Sequence, residues 1–396
     1  MHFKTRVSHK PQESMVADDM LSELDVENLA SVICYYTQDY DPSKLRMELS
    51  KRLPDHVPVI GASTCRGLMT EKGLHWGPVV GLAAIYDSKS SAYGSALSQV
   101  YDDSDIPDLV SVTLDRALKK AEREGEVPGF VIAHATPGFE EKIIDAIDSK
   151  FHVPVPIIGG SAADNGIKGH WSIFTEKAHT TRGIALQVFF PSEKLSTNFS
   201  AGYSPTEFTG TVTKAKGREL LEIDGEPAQK IYREWISDHA GVSVPPHFVF
   251  ELVTQYPLGR IAGHVYAQPY YKLSHPIRIS QKQGLLLFTD IRPGDAITLM
   301  SGDREQLISR GARVLQEANR KNHLNSHTLG ILCIMCAGPM LYLGEDMKRV
   351  YANLKHEAAN TPFICPFTFG EQGRFAGGEN GHGNLMISAA RFYRSR

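Results

Sequence analysis

Cysteine is scarce, with five in 396 residues. An odd and thinly scattered set does not make a disulfide framework, so a reducing, cytoplasmic setting is expected. Charge of one sign is missing too. Forty-two basic against 45 acidic side chains leave a formal net charge of −3, and no global field favours nucleic acid or an anionic membrane. Long apolar runs are absent: the stretch from Leu329 to Leu343 is about 15 residues, contains Gly338 and Pro339, and falls short of the roughly 20 that span a bilayer. The amino terminus lacks the apolar core of a secretory signal, and no membrane insertion is expected. No P-loop, dinucleotide fingerprint, H-E-x-x-H or G-x-S-x-G pattern occurs where its chemistry would need it.

What is present is internal similarity. LASVICYY (Leu29 to Tyr36) reads as a buried strand, and Asp41 with Pro42 as a helix start ahead of Leu45, Leu49 and Leu53. VPVIGASTC, KGLHW and VVGLAAIY follow. The same grammar returns as GFVIAHA, a helix start at Thr136 and Pro137, then VPIIGGSAAD, KGHW and RGIALQVFF. Pro58, Ile60, Gly61 and Ser63 match Pro156, Ile158, Gly159 and Ser161 at a constant offset of 98 (156 − 58). The helix starts are only 95 apart (136 − 41), which predicts that the second helix begins about one turn earlier.

A third, fainter copy runs through LGILCIMC, a helix over Glu345 to His356, TPFICPFTFGE and LMISAARF, with Pro362, Ile364 and Cys365 in the places of Pro58, Ile60 and Gly61. Each unit is strand, helix, strand, loop, strand. The expected fold is α/β, with mixed sheets covered by helices in two tightly packed domains. Between the second and third copies the chain changes character. Thr209, Thr211 and Thr213 mark a half-exposed strand, Asp224 and Gly225 a hairpin ahead of a short helix, and prolines punctuate short strands from Phe248 to Met300. Arg304 to Lys321 then reads as an amphipathic helix. The division is an extension over 1–27, a first domain over 28–236 holding repeats at about 28–100 and 126–192, and a second domain over 237–396.

The segments PVIGASTCRG, PIIGGSAADN and TGTVTKAKGRELLEIDGEPAQKIYREW, with YPLG, DIRPGDAITLM, ILCIMCAG and PFTFGE further on, resemble the FIST family, a two-part module of a FIST N and a FIST C domain. The resemblance runs from about residue 28 to about 392. It implies signal transduction and a small ligand such as an amino acid. One stand-alone branch of similar length consists of haem-containing nitric oxide sensors that act on a partner histidine kinase, and this chain resembles that arrangement. It departs from the family at Pro339, where arginine is frequent, and at His382 to Leu385, where HGNL stands for a His-Asn-Gln-Thr pattern.

Glycine turns at strand ends free backbone amides that can hold an anion, and in open α/β sheets ligands gather beyond the carboxyl ends of strands. The ligand-binding candidates are therefore Gly61, Ser63, Thr64, Cys65, Gly159, Gly160 and Ser161, with Cys336 at a strand end and Glu371 beside an aromatic strand. Tight turning alone is the competing account of the glycines. Haem needs an axial ligand and an apolar pocket. His264 near tyrosines, His134 at a strand end and Cys365 before a proline are the candidates, and no other metal is expected. Cys333 and Cys336 lie three apart on a strand and point to opposite faces, which argues against a shared ion. No catalytic constellation is assignable. The reading is a non-enzymatic sensor, most specifically of nitric oxide through haem. Its alternatives are a haem-free sensor of amino acids or related ligands, and an enzyme using Ser63, Cys65 or Ser161 as nucleophile.

Overall fold

The computed structural model describes residues 1–245, 247, 249–320 and 326–395. Phe248 and Lys321, named above as segment ends, lie outside the described residues. The elements fall into three like units. Unit one comprises β1 (His2–Ser8), α1 (Glu13–Leu21), β2 (Ser31–Thr37), α2 (Pro42–Ser50), β3 (Val59–Thr64), β4 (Gly67–Thr70), β5 (Gly73–Trp76) and β6 (Val80–Tyr86). Unit two repeats it with β7 (Ala92–Gln99), α3 (Ile106–Lys120), β8 (Phe130–Ala135), α4 (Glu140–Phe151), β9 (Ile157–Ser161), β10 (Ile173–Thr175), β11 (His179–Thr180) and β12 (Gly183–Phe190).

Unit three opens with β13 (Lys194–Ser200) and is interrupted by an inserted layer. That layer holds β14 (Ser204–Lys216), β15 (Glu219–Ile223), β16 (Glu226–Pro227), α5 (Ala228–Ala240), α6 (Phe250–Gln255), β17 (Leu258–Val265), β18 (Gln268–Ser274), β19 (Pro276–Ile279), β20 (Leu285–Leu287) and β21 (Ala296–Ser301). Unit three resumes with α7 (Arg304–Arg320), β22 (Ser326–Cys336), α8 (Ala337–Leu343), α9 (Met347–Ala358), β23 (Phe363–Thr368), β24 (Glu371–Arg374), β25 (Asn380–Gly383) and β26 (Ile387–Ser395).

The three sheets of the units exchange hairpins in a closed cycle. Their strand orders are β1-β6-β2-β3-β10-β11, β7-β12-β8-β9-β24-β25 and β13-β26-β22-β23-β4-β5. Each sheet is thus four strands of one unit completed by the hairpin of the next. In each unit the two strands flanking the second helix, β2 with β3, β8 with β9 and β22 with β23, pair in parallel, and the other contacts are antiparallel. The fold is α/β with mixed sheets, as the repeated pattern predicts.

The alternation of side chains along a strand explains the layering. Inner faces of all three sheets meet in one core containing Ile33, Ile60, Ile132, Ile158, Ile334 and Ile364. The isoleucines matched by sequence therefore occupy like positions around a shared centre. Outer faces are covered separately, by α1 and α2 over Cys34 and Leu82, by α3 and α4 over Val131 and Leu186, and by α7 and α9 over Cys333 and Ala389.

One helix starts elsewhere than the sequence suggests. α4 begins at Glu140, not at Thr136. Thr136 Oγ1 is taken by the Gly183 N–H at 3.0 Å, and Gly138 at φ 133° leads the chain off the helical path. The interval from Pro42 to Glu140 is 98 (140 − 42), the same as between the matched strands. Asp41 does cap α2, accepting from Ser43 N–H at 2.9 Å and Lys44 N–H at 3.2 Å. Asp224 and Gly225, both at positive φ, form the tight turn between β15 and β16.

Candidate functional site

The repeated turns meet on the axis that relates the three units. Ala163 N–H donates to Ser63 O at 2.9 Å, Phe369 N–H to Ser161 O at 3.0 Å, and Cys65 N–H to Phe367 O at 2.9 Å. Each unit donates to the previous one, so the ring closes. Gly61, Ser63, Thr64, Cys65, Gly159, Gly160 and Ser161 are all buried in or beside it. A Cβ at Gly159 would stand 1.8 Å from Ala133 O, and one at Gly61 would stand 2.4 Å from the Phe174 ring. These glycines permit close approach of neighbouring strands.

A cavity of about 470 Å³ opens at the strand ends just past this ring. Arg66 and Asn165, the residues that follow the buried turns, line it together with Asp39, Trp76, Met340 and Lys348. Arg66 has φ 60°, a conformation that a non-glycine residue adopts only when its surroundings impose it. Its N–H donates to Asn165 Oδ1 at 2.7 Å, its carbonyl accepts from Gly77 N–H at 3.0 Å, and Asn165 N–H donates to Gln38 Oε1 at 2.9 Å. The Asn165 loop is itself fixed by Asp164, whose carboxylate accepts from the N–H groups of Gly166, Ile167, Lys168 and His170. Burial works against that charge, but the four amides hold it below its ordinary pKa. Trp76 stacks on Phe367 at 5.6 Å between ring centres. The cavity thus offers both signs of charge, an indole face and the apolar surface of Leu74, Met340 and Leu341.

Cys336 and Glu371 are not among the residues that line this cavity, and Cys336 packs with Phe199, Leu273 and Met300. Glu371 is fully buried, with Oε1 accepting from Thr368 Oγ1 at 2.9 Å and Gly370 N–H at 3.2 Å, and Oε2 from Met386 N–H at 3.1 Å. Burial pushes its pKa up to about 7. Burial and the nearby Glu371 charge also raise the Cys336 thiol well above its ordinary value, so it stays protonated at neutral pH.

The three haem-ligand candidates sit in different settings. His134 is buried with both ring nitrogens engaged, Nε2 to Tyr35 Oη and Nδ1 to Gly160 O, each at 3.0 Å. Burial lowers its pKa to about 4. Cys365 is enclosed in the core under α7 and α9. His264 is exposed near the end of β17, without the enclosure an axial imidazole needs. This set does not fit haem ligation.

A polar cluster that sequence reasoning missed sits at the second junction. Ser161 Oγ donates to Glu140 Oε1 at 2.6 Å, and Arg218 Nη2 donates to Glu140 Oε2 at 2.7 Å and Glu141 Oε2 at 2.9 Å. Arg218 Nε reaches Asp290 Oδ1 at 3.0 Å, and His382 Nδ1 lies 3.1 Å from Glu141 Oε1. Burial opposes ionisation of both glutamates, yet the charges of His382 and Arg218 hold them below the usual carboxylate range. His382 is raised in turn, against its burial, by Glu141 and Glu140. Glu140, Glu141 and His382 bring donor atoms within 4.8 Å of one another, close enough for a cation. The Arg218 guanidinium supplies positive charge at that point. The cluster fastens the inserted layer, through Arg218 and Asp290, to units two and three.

Comparison with known proteins decides the family. The FIST N domain matches residues 30–226 and the FIST C domain residues 228–374. The chain belongs to the FIST family. FIST domains are sensory modules of signal transduction that bind small ligands. The chain is 26% identical over 215 residues to the uncharacterized protein MJ1623 of Methanocaldococcus jannaschii, a match that covers 53% of this chain and 41% of that relative. It therefore spans less than half the length of that curated relative. A cyanuric acid hydrolase from A. caulinodans superposes with TM-score 0.30 and 10% identity, over 61% of this chain and 91% of the hydrolase. PurLQS from Thermotoga maritima does so with TM-score 0.22 and 10% identity, over 99% and 72%. No helix among the described residues is long and apolar enough to cross a membrane.

Proposed function

We propose that this FIST protein senses a small dipolar ligand, of the size and charge of an amino acid, in the cavity lined by Arg66, Asn165 and Trp76. The observation that carries this reading is the convergence of two repeated turns on one opening beyond the carboxyl ends of parallel strands. Arg66, held in place by its backbone, meets a carboxylate, Asp39 meets an amine, and Trp76 covers an apolar side chain. Met340 and Lys348 lie on the opposite wall, in α8 and α9. A ligand bound across both walls favours the arrangement in which they stand closest, and this difference is what a partner signalling protein, such as a histidine kinase, would read.

Titrating the protein with a panel of L-amino acids while following tryptophan emission tests this. One or more members are expected to shift the emission saturably, and Arg66→Ala to weaken that binding by about tenfold or more. Unchanged affinity in Arg66→Ala would remove the reading. A haem-based response to nitric oxide rests on the resemblance alone and is disfavoured by the placement of His134, His264 and Cys365. An absorption band at roughly 400 nm after loading with haem would restore it.

A further inference from the structure

We infer that Cys333, Cys365 and Met69 form a buried site for a soft monovalent metal ion, copper(I). Sequence spacing sets Cys333 against Cys336, which points to the other face of its strand; the sheet places Cys365 beside it instead. β22 and β23 pair in parallel, Leu332 with Ile364 and Met335 with Phe367, so Cys333 lies opposite Cys365. Cys365 pairs in turn with Met69 on β4, and Met69 with Leu74 on β5. Residues opposite one another on paired strands share a face of the sheet. Three sulfur side chains therefore stand in one row, all of them buried in the core under α7 and α9.

The spacing of the row suits a shared ion. Neighbouring strands lie about 4.8 Å apart, and two metal–sulfur bonds of about 2.3 Å each reach across that gap. Burial raises the Cys365 thiol well above its ordinary value, and the Cys333 thiol adds to the shift, so the two act on each other directly. Leu74, at the outer end of the row, also lines the cavity of about 470 Å³, as do Met340 and Met347 of the same core. The row thus ends at an opening.

Charge chooses the ion. Arg310 on α7 is only 1% exposed, its Nη1 donates to the carbonyls of Ala201 and Leu385, and its Nη2 has no hydrogen-bond partner. Burial lowers its pKa, and Tyr203, Cys336, Glu371 and Cys333 oppose this through space. Its charge acts on Cys365 as well. Glu371 is a weak counter-charge, because burial keeps it about half protonated near neutral pH. A buried guanidinium without an ion-pair partner is costly. Copper(I) held by two thiolates carries one net negative charge, which is what Arg310 lacks. Zinc held the same way would be neutral, and two thiolates with one thioether fall short of the four ligands it takes. Thiolate and thioether sulfur select copper(I). On binding, each thiol gives its proton to solvent, and no atom changes oxidation state.

Titrating the reduced full chain with copper(I) against bathocuproine disulfonate, a chelator that colours on taking the ion, tests the assignment. One ion per chain is expected to be withheld from the chelator, with apparent affinity rising by up to about 100-fold from pH 6 to pH 7 as two protons leave. Cys333→Ala and Cys365→Ala should each weaken binding by about 100-fold or more and Met69→Leu by about tenfold, while Cys34→Ala and equimolar zinc should change nothing. Arg66→Ala should keep full copper affinity, which separates this site from the amino-acid reading above. Copper X-ray absorption of the wild-type complex should show sulfur ligands alone, and it decides the matter if an alanine variant does not fold. No ion withheld, nitrogen or oxygen ligands on the metal, displacement by zinc, or full affinity in Cys333→Ala would overturn the proposal.

Discussion

Arg218 shows how one side chain can join parts of a chain distant in sequence. It holds Glu140 and Glu141 on α4 and Asp290 in the inserted layer. Replacing it with methionine would leave buried Glu140 and half-buried Glu141 without one of their two counter-charges, and a loss of about 3–5 kcal/mol is expected in chemical denaturation. The cluster also sets a pH dependence. His382 is raised above its unfolded value of 6.5, so its contribution is complete below that value and is lost as pH rises through the folded one. Glu371, raised from 4.5 to about 7, adds a loss in the same direction between those values. Glu141 is depressed, and its contribution fades only as pH falls below about 4.5. Buried His134 and His275, lowered to about 4 and about 3, act in the opposite direction up to pH 6.5, so the cluster's share is read as a difference: above pH 6.5, His382→Gln should lose less stability with rising pH than wild type. Parallel pH profiles of the two proteins would contradict this account of the cluster.

At the scale of elements, the sequence was informative where apolar residues recur and silent where pairing is remote. Ile60, Ile158 and Ile364 mark like strands because each faces the shared core, and Asp41–Pro42 marks a helix start because the cap is local. Thr136–Pro137 misleads for the same reason that Asp41 does not: a capping residue is identifiable only if its side chain stays with its own helix, and Thr136 is bound to Gly183. Hairpin exchange leaves no local signature, since Gly67–Thr70 would alternate identically beside any partner. Nor could Arg66 and Asn165 be told from the turn residues before them, because burial of Ser63 and Ser161 depends on the other units. Gly159 makes the elements' closeness testable. Gly159→Ala puts a methyl against Ala133 O and Gln372 Oε1, and it should lower the melting temperature well beyond what the same change would do at an uncrowded position such as Gly129. A melting temperature equal to wild type would show that β8 and β9 have room to part.

The whole molecule is a ring of three sheets, each completed by the next unit's hairpin, with an added layer spliced into the third. This arrangement makes the FIST N and FIST C stretches interdependent. A fragment ending at residue 226 would keep β4 and β5 without their partner β23 and would leave β9 without β24. It should be poorly structured alone, read as low amide-exchange protection and no cooperative unfolding transition. Cooperative folding of that fragment would contradict the cyclic dependence.

Amide hydrogen exchange with and without an L-amino acid selected by the emission titration tests the central claim most directly. The account predicts slowed exchange concentrated at Arg66, Gly77 and Asn165 and in the first turns of α8 and α9, around the opening they share. Slowed exchange confined to other faces, with these amides unchanged while the ligand is bound, would contradict it.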